Sequence, residues 1–153
     1  MLGQGWQWQW ARVQRRLEDV RAVYAGAPGG TDVALDMVQS FFEAVHHLRD
    51  WIINDPACVV IEDDVEELFK DNLVLRLCGD LANGSKHLKL TRRAWTGDKS
   101  TTIARNDAIV YVGEGTSAHR FYIASGGTEY DVRQIAEDAV DEWSTFLSGR
   151  GLI

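Results

Sequence analysis

Residues 31–53 read TDVALDMVQSFFEAVHHLRDWII. Apolar residues recur in this segment at spacings of three and four, which is the period of one helix face. They are Ala34, Val38, Phe41, Val45, Leu48 and Ile52, and Met37, Phe42 and Trp51 widen the stripe. We therefore predict a central helix about 33 Å long. Thr31 is a suitable N-cap for it, and Asn54-Asp55-Pro56 ends it.

Four further helices follow from the same periodicity, at 5–25, 63–70, 73 to about 90, and 132 to about 148. Gly26 is expected to end the first of these. Asn72 can cap the helix that starts at residue 73, and Asp131 with Gln134 forms a capping-box-like pair before the last helix. The chain is therefore dominated by helices.

The pattern changes to β-branched and aromatic runs at 101–105, 108–112 and 118–124. Asn106-Asp107 and Gly113-Glu114-Gly115 separate these runs, and Gly126-Gly127 follows the last of them, so we predict a three-stranded antiparallel meander. The predicted fold class is mainly α (α+β): an up-and-down helical bundle with a small antiparallel β-meander before the last helix. One domain is expected over residues 1–153, with the bundle at about 5–95 and 131–149 and the meander at about 100–127.

Composition limits the classes of function. The chain has 153 residues and a formal net charge of −7. We therefore do not expect it to bind nucleic acid over its whole surface, whereas a local basic patch is compatible with this net charge. Cys58 and Cys78 lie in apolar runs, which is typical of buried free thiols in a reducing compartment. The sequence has neither a signal-peptide pattern nor an apolar run of membrane-spanning length, so we expect a cytoplasmic protein without membrane contact.

The predicted helix that begins at residue 73 has a polar stripe along one face. It carries Arg76, Asp80, Asn83 and His87, at spacings of four, three and four. Gly79 and Gly84 weaken this helix, which suggests a close approach by another group. The central helix offers a partner set in His46, His47, Arg49 and Asp50. If the two helices are antiparallel, these side chains would converge.

Such a cluster has three interpretations. Histidine exchanges protons near neutral pH, a carboxylate fixes its tautomer, and an adjacent cation can hold a phosphate; this is the chemistry of metal-free RNA cleavage. The cluster can instead be a polar network that locks two helices in register. Histidine and carboxylate could also bind a metal, with His46, Asp50, Asp80 and His87 as ligands.

Two segments, FFEAVHHLRDW (residues 41–51) and CGDLANGSKHL (residues 78–88), resemble the two central helices of HEPN-like proteins. The resemblance covers about residues 31–95, with the last helix completing the bundle. It implies a small helical bundle from prokaryotic defence or toxin–antitoxin systems, often a dimeric, metal-free endoribonuclease. His87 corresponds to the motif histidine, but the motif arginine is absent, and Lys86, Arg76 or Arg49 would have to replace it. An inactive, ligand-binding or regulatory member fits this departure.

A basic cluster follows the same helix: Lys86, Lys89, Arg92 and Arg93, with Lys99 beyond and Trp95 among them. It can contact RNA, with the tryptophan stacking on a base, or it can be a solvated helix end. Trp8 lies opposite the apolar face of the first helix, which is compatible with a homodimer contact or with a surface tryptophan.

We therefore expect an RNA- or nucleotide-directed HEPN-like protein. In the active version His87 moves protons, Lys86 or Arg49 supports phosphate, and Asp80, Asn83 and Asp50 orient the histidine. The predicted ligand-binding residues are His46, His47, Arg76, Lys89, Arg92 and Arg93, with no cofactor and no metal. Expected partners are RNA or a nucleotide, a second copy of the chain, or an antitoxin or other protein. The alternatives are a non-catalytic accessory protein of phage or mobile-element origin and a metal-binding helical-bundle hydrolase.

Overall fold

The computed structural model describes residues 2–87, 93–111 and 116–153. Within these ranges the elements are α1 (Trp6–Ala25), α2 (Thr31–Asn54), α3 (Glu62–Lys70), α4 (Leu73–Lys86), β1 (Thr102–Tyr111), β2 (Thr116–Ser125), β3 (Thr128–Asp131) and α5 (Val132–Gly149). The predicted fold class is confirmed, because a mainly helical chain carries a three-stranded antiparallel sheet immediately before its last helix.

Helix α2 is central, as its apolar stripe predicted. It packs against α1 on one side and α4 on another, and it also contacts α3 and α5. The six residues of its predicted stripe are buried, and so is Phe42. The burial of such apolar side chains away from water is the main contribution to the stability of the bundle. Cys58 and Cys78 are buried free thiols, as predicted.

Three of the predicted helix caps are confirmed. Gly26 ends α1 in the left-handed conformation, with φ 104°. The Asn72 side chain accepts a hydrogen bond from the backbone N–H of Leu75 at the start of α4, and Asp131 accepts one from Gln134 at the start of α5. The cap predicted at Thr31 is wrong, because Gly30 is the N-cap and Thr31 is already helical.

Helix α4 is shorter than the sequence predicted. We expected it to reach about residue 90, but it ends at Lys86, and His87 has the extended backbone conformation φ −128°, ψ 130°. Gly84 and Ser85 in the last turn are poor helix formers, which accounts for the early end. His87 therefore lies just beyond the helix rather than on its polar stripe.

The strands of the sheet begin and end at different residues from those predicted. The first two predicted strands form one ten-residue strand, β1, and the turn predicted at Asn106-Asp107 is wrong. These two residues pair with Phe121 and Arg120 of β2, and a bulge lies between Ile103 and Arg105. Cross-strand pairing has overridden the local turn preference. Gly126-Gly127, both with positive φ, makes the turn into β3. The turn predicted at 113–115 lies outside the described residues.

Tyr24 joins the sheet to the bundle. Its hydroxyl donates to the carbonyl of Phe121 on β2 and accepts hydrogen bonds from the backbone N–H groups of Phe121 and Arg133. These bonds tie α1, β2 and the start of α5 together. In the described part of the chain, no helix combines the length and apolar character needed to cross a membrane.

Candidate functional site

The contact between α2 and α4 is filled by a tryptophan from a later part of the chain. The ring of Trp95 lies 5.9 Å from the ring of His46 on α2 and 5.1 Å from that of Phe69 on α3. Gly79 on α4 leaves the necessary space, because a Cβ atom at this position would lie 2.8 Å from Cδ1 of Trp95. The close approach that this glycine suggested is therefore made by Trp95 and by His46, whose Cε1 atom would lie 3.2 Å from the same Cβ.

Asp80 fastens the segment that carries Trp95. The residue is 1% exposed. One carboxylate oxygen accepts a hydrogen bond from the backbone N–H of Trp95 at 2.7 Å. The other accepts from the backbone N–H of Thr96 at 3.0 Å and from its hydroxyl at 2.6 Å. The carboxylate expected to orient His87 thus holds the Trp95 segment against α4 instead.

Arg49 is also engaged within the fold. Its guanidinium binds Glu66 on α3 and donates to Asp50 at 2.9 Å, and Glu62 lies 3.5 Å away. The same group lies 5.7 Å from the centre of the Trp95 ring. These carboxylates compensate its charge, and the expected role of Arg49 in supporting a phosphate stays a prediction.

The other predicted catalytic residues do not form a cluster. His87 and Lys86 are exposed at the end of α4, and the backbone N–H of His87 donates to the carbonyl of Asn83. Asp50 is exposed on α2, where it accepts its bond from Arg49, and the predicted ligand-binding residue His47 is exposed on the same helix. Within the described ranges, no three histidine, cysteine or carboxylate side chains come together as a metal site would require.

A cleft of about 360 Å³ lies beside Trp95. We call it the Trp95 cleft; it is lined by Glu66, Lys70, Arg76, Arg93, Ala94 and Trp95. Two of these, Arg76 and Arg93, are among the predicted ligand-binding residues. The ring of His46 makes a T-shaped contact with the Trp95 ring. Lys89 and Arg92 lie outside the described residues.

The cleft carries surplus positive charge. Its single carboxylate, Glu66, is paired with Arg49. Lys70, Arg76 and Arg93 form no ion pair with any other described residue. The Nε atom of Arg76 is buried and finds no hydrogen-bond acceptor there. Among the described residues, three cations without a counter-charge thus line one cleft, in a chain whose net charge is −7.

Sequence reasoning missed Lys70 and Glu66. They stand one helical turn apart on α3, and only Asp71 and Asn72 separate α3 from α4. That short connection is the signal that could have placed Lys70 near Arg76. Glu66 gave no such signal, because its position in the cleft depends on the packing of α3 beside the Trp95 segment.

Two glycine substitutions on α4 test the packing of Trp95. We expect Gly79→Ala to lower the free energy of unfolding by about 1–3 kcal/mol, because the new methyl group displaces the Trp95 ring. Gly84→Ala is the matched control: a Cβ there meets nothing within 4 Å, so the higher helix propensity of alanine should raise stability by up to about 1 kcal/mol. Urea unfolding measures both, and equal effects of the two substitutions would contradict this packing.

His46 should make stability depend on pH. Burial lowers the pKa of His46 to about 4, although Asp50 and Asp80 act in the opposite direction. The unfolded chain therefore binds a proton between about pH 6.5 and 4 that the folded protein does not. Stability should fall as the pH falls through this window, by up to about 3 kcal/mol from this residue. Urea unfolding of wild type and His46→Phe at several pH values checks this, since the variant should lose this share of the pH dependence.

Comparison with known proteins gives no relative from which a role could be transferred. No protein-family model matches the chain, and neither a curated protein nor a solved structure matches it. The resemblance to HEPN-like proteins therefore stays a prediction from the two quoted segments. The functional argument rests on the residues of the Trp95 cleft.

Proposed function

We propose that this protein binds a phosphate-bearing ligand, a nucleotide or RNA, in the Trp95 cleft, as a non-cleaving helical-bundle protein of the HEPN-like type. The observation that carries the proposal is Arg76, whose buried Nε atom lacks an acceptor among the described residues. A buried donor without a partner costs about 1–3 kcal/mol, and more when it is charged. A small movement of the Arg76 side chain toward an anionic ligand in the cleft would give this atom an acceptor.

The types of cation in the cleft suit a phosphate. Arginine presents a planar fork of donors that matches phosphate oxygens, and lysine adds a compact point charge. Arg76 and Arg93 would supply two forks and Lys70 the point charge. Because the chain as a whole is acidic, an anion is repelled by most of the surface and attracted only locally. Affinity should therefore be modest and should weaken with salt.

The geometry favours binding over cleavage. A general base must lie within hydrogen-bond reach of the proton it takes. The lining of the Trp95 cleft includes no imidazole among the described residues, and His87 is exposed beyond the end of α4. His46 packs against Trp95 and has a pKa of about 4, so it is neutral near pH 7. The defence or toxin–antitoxin setting remains part of this proposal through the HEPN-like resemblance.

Isothermal titration calorimetry with adenosine 5′-monophosphate and with adenosine tests the proposal. We expect the monophosphate to bind, adenosine to bind at least about tenfold more weakly, and the difference to shrink as salt is raised. Equal affinities would show that phosphate is not what the protein recognises. The absence of any binding by the monophosphate and by a short RNA would overturn the proposal.

A cleavage assay separates binding from catalysis. Single-stranded RNA is incubated with the wild-type protein and with His87→Ala, both in EDTA. The proposal predicts intact RNA in both reactions. Cleavage by the wild-type protein that survives EDTA and disappears in His87→Ala would instead establish the metal-free ribonuclease.

A further inference from the structure

We infer that the group recognised in the Trp95 cleft is a terminal phosphate, a phosphate monoester carried by a nucleotide or by an RNA end, rather than an internal phosphodiester. The inference rests on the proposed function and narrows the class of ligand. Its basis is the arrangement of the three cations around a small cleft and the limited freedom of the Trp95 ring.

The three cations come from three separate parts of the chain. Lys70 is the last residue of α3, Arg76 lies in the first turn of α4, and Arg93 lies two residues before Trp95. All three nevertheless line the same cleft of about 360 Å³. A groove that follows a nucleic-acid strand needs cations in a row along successive phosphates. The three described cations of the Trp95 cleft instead share the lining of one cleft.

Trp95 is poorly placed to act as a stacking platform. His46 and Phe69 pack around its ring, and the guanidinium of Arg49 lies 5.7 Å from the ring centre. Single-strand binders usually gain much of their affinity from bases that stack on open aromatic rings. Here the ring forms a wall of the cleft, so the cations must provide most of the binding energy.

Charge and oxygen count match a monoester. A phosphate monoester carries a charge of about −1.5 to −2 at pH 7 and offers three terminal oxygens. An internal phosphodiester carries a single charge, offers two free oxygens, and is blocked on both sides by the continuing chain. Three cations that line one cleft of about 360 Å³ match the charge and the oxygen count of the monoester. The diester brings one negative charge and two free oxygens to the same three cations, so it should bind more weakly.

The test uses three probes: adenosine 5′-monophosphate, an eight-nucleotide RNA with a 5′-phosphate, and the same RNA with a 5′-hydroxyl. Fluorescence anisotropy of RNA labelled at the 3′ end gives both RNA affinities, and the monophosphate is added as a competitor. We expect the 5′-phosphate to tighten RNA binding by about tenfold or more, and the monophosphate to compete. Arg76→Gln should abolish this difference, whereas Arg12→Gln on α1 should not.

The outcomes separate this inference from the proposed function. Equal affinity for the two RNAs, with both weakened in Arg76→Gln, would overturn the terminal-phosphate inference and leave phosphate binding in place. If the monophosphate binds and neither RNA does, the inference holds and the source is a free nucleotide. If none of the three probes binds, both the inference and the proposed function fail.

Discussion

Asp80→Asn is expected to lower the free energy of unfolding by about 3 kcal/mol. The buried carboxylate accepts three hydrogen bonds, two of them from the backbone N–H groups of Trp95 and Thr96. An asparagine keeps the shape but directs an NH₂ group at one of these donors. One backbone N–H is then left without an acceptor in a buried place, and the charge that strengthened the other bonds is lost.

Urea unfolding measures this effect, with Asp36→Asn as the matched control. Asp36 is exposed on α2, so its replacement should change stability by less than about 0.5 kcal/mol. Asp80→Asn should also weaken ligand binding, because the segment that it releases carries Arg93 and Trp95 into the cleft. A stability change as small as that of the control would mean that Asp80 does not hold this segment.

Arg76→Gln is expected to weaken the binding of adenosine 5′-monophosphate by about tenfold to a hundredfold. It should leave stability unchanged or raise it slightly, because it removes a partly buried charge that forms no ion pair with any described residue. Arg76→Lys should fall between wild type and glutamine, since lysine keeps the charge but loses the planar fork. A substitution that weakens ligand binding and leaves the free energy of unfolding unchanged or higher is what we expect at a ligand site.

The control for this substitution is Arg12→Gln on α1. Arg12 lies over the ring of Trp8, so its replacement tests the general effect of removing one positive charge. Calorimetry should give wild-type affinity for this variant. An equal loss of affinity in both variants would show that net charge, rather than the Trp95 cleft, determines binding.

The helices could be predicted because each has an amphipathic pattern that its burial confirms. In α2 the spacing of the apolar residues from Ala34 to Ile52 was sufficient to identify the central helix. The long strand β1 could not be predicted in the same way. Its Asn106-Asp107 pair has the local chemistry of a turn, and only pairing with β2 keeps it extended.

The site was predicted only in part, because sequence spacing identifies a helix face and not what packs on it. The stripe through Arg76 and Asp80 is real, but Asp80 meets Trp95 and Thr96, which return from 15 and 16 residues later. His87 does not lie on this stripe because α4 ends at Lys86. Lys70 lines the cleft because of the way α3 packs, and no local sequence pattern indicates this packing.

The central claim is that phosphate binds in the Trp95 cleft, and two-dimensional ¹H–¹⁵N NMR during a titration with adenosine 5′-monophosphate tests it most directly. We predict that the Nε–H signal of Arg76 and the indole N–H signal of Trp95 move with one shared dissociation constant. The indole signal of Trp8, which packs against Trp51, should stay in place. Saturable shifts that leave Arg76 and Trp95 unmoved would place the ligand elsewhere and contradict the account.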